Sequence, residues 1–414
     1  MEKQRLSGLA VKRFSVLRSI FYLLTCLSAQ LLNRYPLSAQ EKIFMPYYRF
    51  NFGEGVALPS KGDFFASHTV GSQVGGLLNA TDWLHFFGLY DLTYQGSGLI
   101  RSEGELFTQR SMRHSFLIEP SFTIANAGKL RLKVFTIKEF RRSGTNETWG
   151  KGLYDYAAQG GSVGFEREFF GFRFFPAIRI MQMKFPNYTD LLREFQESGL
   201  SAELAGGLMD QNVMAYSLNI SRKPFNVGVS LSSQKYKKEK VVGQGGVYTS
   251  DAQKDSVTEI TADFDVSLWR FSLVPEGAYR MKRSNQNYLR FAYFGDPNPT
   301  FVPKNYDYNE MSVGGKLYLK MTEKKAIFGS IDLNNRVYPN RPPRNASGVY
   351  AAAGEMQNTT WGAWGGGIQW KVSDYSTWNL AYHMVYSKSN MKYDRFIPYN
   401  YTGNVVGLYL SVSP

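Results

Sequence analysis

The chain has 414 residues, a formal net charge of +14 and a mean hydropathy of −0.31. No apolar run of about twenty residues follows position 39, which excludes a bundle of transmembrane helices there. Aromatic residues make up 15% of the chain, with 27 Tyr and 30 Phe beside 39 Gly. This composition is typical of a chain in which only every second side chain contacts lipid.

Residues 1–39 are predicted to form a cleaved export signal. A basic region precedes a short apolar core at 19–27, and small residues follow near 28–30 and 38–40. Such a segment is too short and wrongly flanked for a permanent membrane span. We expect cleavage after Ala39, with Ala29 as the alternative, and a single membrane anchor is the competing interpretation.

Loss of this signal would change the chemistry of the remaining chain, residues 40–414, which we interpret as a single domain. The only cysteine, Cys26, lies within the signal, so the remainder could form no disulfide and would offer no thiol. Six basic residues and one acidic residue would leave with it. The net charge would then fall to +9.

Alternating apolar and polar residues recur from about residue 43 onward, for example at 225–232 and 260–268. A period of two predicts strands with one apolar and one polar face. No helical pattern accompanies them to cover a sheet. The sequence therefore predicts a closed antiparallel transmembrane β-barrel whose apolar face contacts lipid.

Turn signals give the number of strands. Short connections alternate with long ones, and in barrels of this kind the short turns are periplasmic. Seven hairpins, an opening strand at about 44–54 and a closing strand at about 402–412 predict about 16 strands, with 14 as the alternative. The tight turns lie near 79–82, 126–129, 168–171, 223–224, 269–270, 322–325 and 373–375, and the long segments near 98–111, 141–152, 186–211, 238–256, 284–308, 338–358 and 389–401.

With this pattern the chain resembles bacterial outer-membrane β-barrel proteins as a broad class. The resemblance covers nearly everything after the predicted signal. It implies a location in the bacterial outer membrane.

Strand parity separates the two faces of the barrel. Apolar residues such as Phe264, Leu268 and Trp364 would face lipid, and the opposite parity would face the lumen. Inward charges of both signs either pair across strands to hold the shape of the barrel or line a path that selects solutes. The candidates are Arg173, Arg179, Asp263, Asp265, Glu276, Arg280, Lys316, Lys320, Asp332 and Lys371.

One pair of these charges can be placed in register. A two-residue turn at 269–270 would set Asp263 opposite Glu276. Two neighbouring carboxylates need a cation nearby, and Arg280 and Lys282 are the expected partners. A metal ion is the weaker alternative, so we predict neither a metal site nor a cofactor.

Lysines cluster where a strand leaves the outer leaflet, at Lys235, Lys237, Lys238 and Lys240, which we name the outer basic rim. Arg341 and Arg344 lie in another outer segment. These cations either contact phosphates of lipopolysaccharide or are solvated loop charges. Nucleic acid is not an expected partner, because the basic residues are confined to one end of an exported barrel.

Two outer segments have distinctive compositions. The longest, 186–211, contains a predicted short helix whose apolar face is formed by Leu191, Leu192 and Phe195. That helix either constricts the channel mouth or packs on the rim. Segment 284–308 is rich in Tyr, Phe, Asn and Pro, which suits a sugar- or protein-binding surface or simply stabilises a long loop.

No catalytic motif is recognisable. The four histidines, at 68, 85, 114 and 383, show no metal-ligand spacing, and no Ser–His arrangement is marked. The leading hypothesis is a porin-like channel for small polar or anionic solutes. The alternative is a non-enzymatic accessory or scaffold barrel of a secretion or surface-assembly machine, bound to other envelope proteins. An outer-membrane lipid enzyme is a distant third.

Overall fold

The computed structural model describes residues 43–60, 65–97, 110–125, 127–142, 148–189, 206–244, 246–290, 299–351, 354–393 and 399–413. The predicted export signal and the predicted helix with Leu191, Leu192 and Phe195 lie outside these ranges. Within them, no helix is both long and apolar enough to span a membrane.

The described residues form nineteen β-strands. They are β1 (Phe44–Pro59), β2 (Phe65–Asn79), β3 (Leu84–Ser97), β4 (Arg110–Ile124), β5 (Gly128–Arg142), β6 (Tyr156–Phe169), β7 (Phe172–Lys184), β8 (Gln211–Arg222), β9 (Phe225–Val242), β10 (Tyr248–Phe264), β11 (Val266–Leu268), β12 (Phe271–Ser284), β13 (Tyr288–Arg290), β14 (Thr300–Val302), β15 (Tyr308–Lys320), β16 (Lys325–Val337), β17 (Asn358–Lys371), β18 (Ser376–Ser389) and β19 (Tyr401–Val412).

The sheet closes on itself as a barrel. Neighbouring strands pair antiparallel throughout, and β1 pairs with β19 from Phe50 opposite Val412 to Pro59 opposite Gly403. Strands β10 and β11 both pair with β12 in one continuous register and act as a single barrel strand. The prediction of a closed antiparallel 16-strand barrel is therefore confirmed. Strands β13 and β14 form a separate two-stranded hairpin.

All seven predicted tight turns are present between consecutive barrel strands. The turn between β6 and β7 shows why: Phe170 and Gly171 have φ angles of 51° and 74°. Positive φ at both central residues matches the right-handed twist of a two-residue hairpin. The first and last barrel strands begin and end on this same side of the barrel.

The outer connections do not all follow the predicted alternation of short and long. Strand β1 continues to Pro59 and β2 begins at Phe65, so the first outer connection is short. The predicted loop 238–256 is largely a hairpin, because β9 continues to Val242 and β10 begins at Tyr248. Above the lipid a strand needs no apolar face, so its polar sequence there looks like a loop.

The two faces of each strand differ in character. Trp364 pairs with Ile331, and Leu380 pairs with Leu408, on the outward face, where all four remain exposed. On the inward face the Tyr409 ring covers Gly53 of the neighbouring strand. An apolar exterior on a closed barrel is the architecture by which strands cross lipid. The protein is a β-barrel of the bacterial outer membrane.

Candidate transport lumen and outer rim

The strand register places nine of the ten predicted charges on the face opposite the apolar exterior, and Asp265, in the break between β10 and β11, continues the same parity. Arg179 pairs with Ala215, for example, and Asp332 pairs with Gly314. Lys371 lies at the periplasmic end, where its Nζ is 2.9 Å from Asp374 Oδ1. These side chains line the lumen because successive residues of a strand point to opposite faces.

An ion-pair network follows the wall from β10 to β16. Arg280 Nη2 donates to Glu259 Oε1 at 2.7 Å, and its Nη1 is 3.8 Å from Glu310 Oε1. Arg336 lies on β16 directly opposite Glu310 of β15, and its Nε donates to Glu310 Oε2 at 2.6 Å. Glu310 is only 7% exposed, so it bridges two guanidinium groups in a largely dry position.

The carboxylates of Asp263 and Glu276 have different partners from those predicted. Arg280 lies directly opposite Glu259 and bonds to it, and Lys282 Nζ is 2.8 Å from Asp255 Oδ2. Each of these cations thus pairs with an acid that lies opposite or diagonal to it on the neighbouring strand. The prediction that Arg280 and Lys282 compensate the Asp263 and Glu276 pair is wrong.

A second network on the wall from β4 to β7 was missed by sequence reasoning. Glu119 Oε1 lies 3.4 Å from Arg131 Nη1, and its Oε2 lies 3.3 Å from Lys133 Nζ. Glu166 contacts Arg131 and is 4.0 Å from Arg173 Nη1. The alternation of Lys129, Leu130, Arg131, Leu132 and Lys133 was the available signal, since it marks one charged and one apolar face.

A recess of about 460 Å³ opens beside this second network and is lined by residues of β4 to β9. Arg131, Lys133 and Arg179 line it with a single acid, Glu119. Most other lining residues are small, including Ser162, Gly164, Ala215, Ser217, Ser230 and Ser232. Small side chains leave space beside three cations, so the recess offers an anion a positively charged wall.

Where the outer hairpin of β9 and β10 meets β12, a polar cluster surrounds Asp255. Its carboxylate accepts hydrogen bonds from Ser284 Oγ at 2.6 Å, Tyr236 Oη at 3.2 Å and Gln253 Nε2 at 3.2 Å, and it forms an ion pair with Lys282. Burial, and then the charge of Asp255, raise the pKa of Tyr236. A neutral phenol donor and a buried carboxylate acceptor fasten the hairpin to the barrel.

The outer basic rim lies on β9 and not in a loop. Lys238 Nζ donates to Gly206 O and Lys240 Nζ donates to Ser250 O, both at 2.8 Å. Lys235 and Lys237 are exposed and have outward parity. Lys235 lies directly opposite Lys254 of β10, which is also exposed.

Within the described ranges, no three His, Cys, Asp or Glu side chains are grouped to hold a metal ion. The contacts described above are hydrogen bonds and ion pairs among protein groups.

No known family model matches the chain, and no curated protein matches it. Among solved structures, OmpF of Salmonella typhi in complex with daunomycin is similar with 11% identity and a TM-score of 0.46, covering 89% of this chain and 97% of that one. The trimer form of OmpT, an outer membrane protein of Vibrio cholerae, has 12% identity and a TM-score of 0.42, with 90% and 100% covered. A bacterial polysaccharide outer membrane secretin has 9% identity and a TM-score of 0.42, with 89% and 97% covered. The barrel assignment itself rests on the strand pairing of this chain.

Proposed function

We propose that this protein is a porin-like channel through which small polar solutes, anions in preference, diffuse across the outer membrane. The exposed side chain of Arg179 in the lumen gives the main support for this proposal. It lies in the middle of β7 on the inward face, exposed, and no carboxylate of the described residues pairs with it. An unpaired guanidinium in a water-filled passage attracts anions and repels cations.

Two further features support a passage. Sixteen strands can enclose an aqueous channel. The strands beside Arg179 present small inward side chains such as Ser162 and Ser217, which leave the wall open. Several other inward charges are paired within the wall, among them Arg280 with Glu259 and Lys316 with Glu276.

Planar-bilayer recording tests the proposal. We expect the purified protein to give stepwise conductance in KCl and, under a KCl gradient, a reversal potential that favours chloride. Arg179→Gln should reduce the chloride preference. Arg222→Gln is the matched control, because Arg222 has outward parity at a periplasmic turn. Absence of conductance, together with absence of solute-driven liposome swelling, would overturn the proposal.

Three histidines of the barrel form side-chain contacts across neighbouring strands. His68 Nδ1 lies 2.6 Å from Glu54 Oε2, and His114 Nδ1 lies 2.8 Å from Tyr90 Oη, both on the outward face. His85 Nδ1 lies 2.8 Å from Asn79 Oδ1. Each of these three imidazoles has a partner on the neighbouring strand.

We further propose that lipopolysaccharide is the lipid partner of the outer face. Lys235 and Lys254 are directly opposite each other, and like charges in that position are unfavourable unless an anion lies between them. Lys235 lies about 11 residues beyond the periplasmic turn, the length of strand that crosses the hydrocarbon region. A phosphate at that height could pair with both lysines.

The alternative function is a non-enzymatic accessory or scaffold barrel of a secretion or surface-assembly machine. Purification of the protein from native membranes tests this alternative. Co-purification of a second envelope protein from native membranes, with no conductance from the isolated chain, would favour it.

A further inference from the structure

The outer loops enclose a cavity of about 390 Å³ that is separate from the lumen wall. Three connections form it: the one containing β13 and β14, the one between β16 and β17, and the one between β18 and β19. All three are on the side of the long loops, outside the membrane. A volume of this size suits a ligand of one or two sugar units.

Three arginines line this cavity. The Cζ atoms of Arg290 and Arg344 lie 4.2 and 4.1 Å from the centre of the Tyr350 ring. The Cζ atom of Arg341 lies 4.0 Å from the Tyr338 ring centre, and its Nε donates to Asn305 O at 3.2 Å.

Among the described residues, no acid lines the cavity, and none of the three guanidinium groups has a carboxylate within ion-pair distance. Arginine is always charged and presents several donors in one plane. The cavity is therefore built to receive an anionic group, and a carboxylate fits the planar fork of a guanidinium with two hydrogen bonds.

The side chain of Gln357 gives independent evidence that the cavity binds a ligand. It lines the cavity and is 3% exposed, and its buried Oε1 atom has no hydrogen-bond donor among the residues that the structure describes. The backbone is fixed, since Gln357 N donates to Arg341 O at 2.7 Å and Gln357 O accepts from Tyr338 N at 2.9 Å. A buried acceptor without a partner is costly, so a ligand that carries a donor such as a hydroxyl would complete this site.

Tyrosines supply the remaining surface, among them Tyr288, Tyr350 and Tyr393. Their ring faces offer flat apolar area against which the C–H face of a sugar can pack. Burial, followed by the charge and hydrogen bond of Tyr350, raises the pKa of Tyr288 to about 12. Tyr288 therefore stays neutral at physiological pH and does not repel an anion.

From these observations we propose that the outer loops bind an acidic saccharide. Its carboxylate would pair with Arg290 and Arg344, a hydroxyl would donate to Gln357 Oε1, and its ring would pack on the tyrosines. A simple inorganic anion would satisfy the arginines without using the tyrosine surface. The site stands independently of the proposed channel, because binding at the outer mouth does not require conductance.

Titration calorimetry of the folded full chain in detergent tests the site with a matched pair of probes. Cellobiouronic acid and cellobiose differ at one carbon atom, where a carboxylate replaces the hydroxymethyl group of cellobiose. We expect the acidic disaccharide to bind at least about tenfold more tightly at low salt, the range of a charge-assisted contact. Arg290→Gln and Arg344→Gln should each remove most of that difference. Lys388→Gln, at an exposed position that does not line the cavity, is the control.

Gln357→Leu separates binding from folding. It should weaken binding of both disaccharides about fivefold, the effect of one hydrogen bond, and leave the melting temperature equal or higher because an unpaired buried acceptor is removed. Equal binding of the two disaccharides, or no binding of either, overturns the proposal. Inorganic phosphate that binds as tightly as cellobiouronic acid also overturns it, since a plain anion site would then suffice.

Discussion

Asp263 lies directly opposite Glu276 across β10 and β12, with both side chains toward the lumen. Asn226 Nδ2 donates to Asp263 Oδ1 at 2.7 Å, and Lys316 Nζ lies 3.1 Å from Glu276 Oε2. One carboxylate thus has a neutral donor and the other a cation. Lys316 compensates the charge of Glu276, whereas Asp263 has no ion-pair partner among the described contacts.

Lys316→Gln is expected to shift ion selectivity toward cations, because Glu276 loses its counter-ion in the passage. Lys320→Gln removes the same charge from the same inward face without exposing an acid, and we expect a smaller shift. The stability of both variants should stay within about 1 kcal/mol of the parent, since the Lys316 pair is exposed. Reversal potentials under a KCl gradient measure the difference. Equal shifts in the two variants would show that the pairing with Glu276 has no effect on conduction.

The bridge at Glu310 is expected to stabilise the barrel. Glu310 is largely buried and is the counter-ion of Arg336 and, at a longer distance, of Arg280. Glu310→Gln removes this shared negative charge from both guanidinium groups. We expect a loss of about 1–3 kcal/mol in the free energy of unfolding. Glu259→Gln, at a more exposed member of the same network, should cost less. Urea unfolding in detergent or liposomes measures both, and a larger loss in Glu259→Gln would contradict the assignment of Glu310 as the central bridge.

The regular part of this barrel follows from its sequence because lipid imposes a strict rule. A charge on the lipid face at mid-membrane costs about 2–4 kcal/mol, so parity is fixed, and tight turns then fix the register. The placement of Asp263 opposite Glu276 could be predicted for this reason. The partners of those acids could not, because long side chains choose among several diagonal neighbours.

On the outer side of the membrane, lipid does not constrain which residues are polar, so the structure there is harder to predict from the sequence. Above the membrane, strands β9 and β10 carry polar residues on both faces, and their extension could not be told from a loop. The cavity of Arg290, Arg344 and Tyr393 draws residues from three connections. Sequence spacing does not report such contacts. The only sequence features that pointed to this cavity were the tyrosines of segment 284–308 and the arginines of segment 338–358.

Substitution of Lys235 and Lys254 by glutamine is expected to reduce retention of lipopolysaccharide. Both lysines face outward at the height of the outer headgroups, and their mutual repulsion favours a shared phosphate. Lys240→Gln is the control, because Lys240 Nζ is already bonded to Ser250 O. The measurement is the amount of lipopolysaccharide that co-purifies with each variant in mild detergent. Undiminished lipid in the double variant would contradict the proposed contact.

The protonation of Tyr288 gives a pH test of the outer loops. Its pKa is raised to about 12, chiefly by burial, so the folded protein holds this proton more tightly than the unfolded chain with its ordinary value of 10.0. Stability from the neutral phenol is present below pH 10 and is lost as the pH rises through 12. Absorbance at alkaline pH should show a late-titrating component that is smaller by one tyrosine in Tyr288→Phe. A late component of unchanged size in this variant would contradict the raised pKa of Tyr288.

Thiol accessibility along β8 tests the water-filled lumen most directly. Residues 40–414 contain no cysteine, so single cysteines can be introduced without competing thiols. Ser217 has inward parity and Leu218 has outward parity. We expect a charged, membrane-impermeant thiol reagent to label Ser217→Cys rapidly in proteoliposomes and to leave Leu218→Cys unlabelled. Equal labelling at the two positions, or labelling of Leu218→Cys alone, would contradict a barrel with an aqueous interior and a lipid-facing exterior.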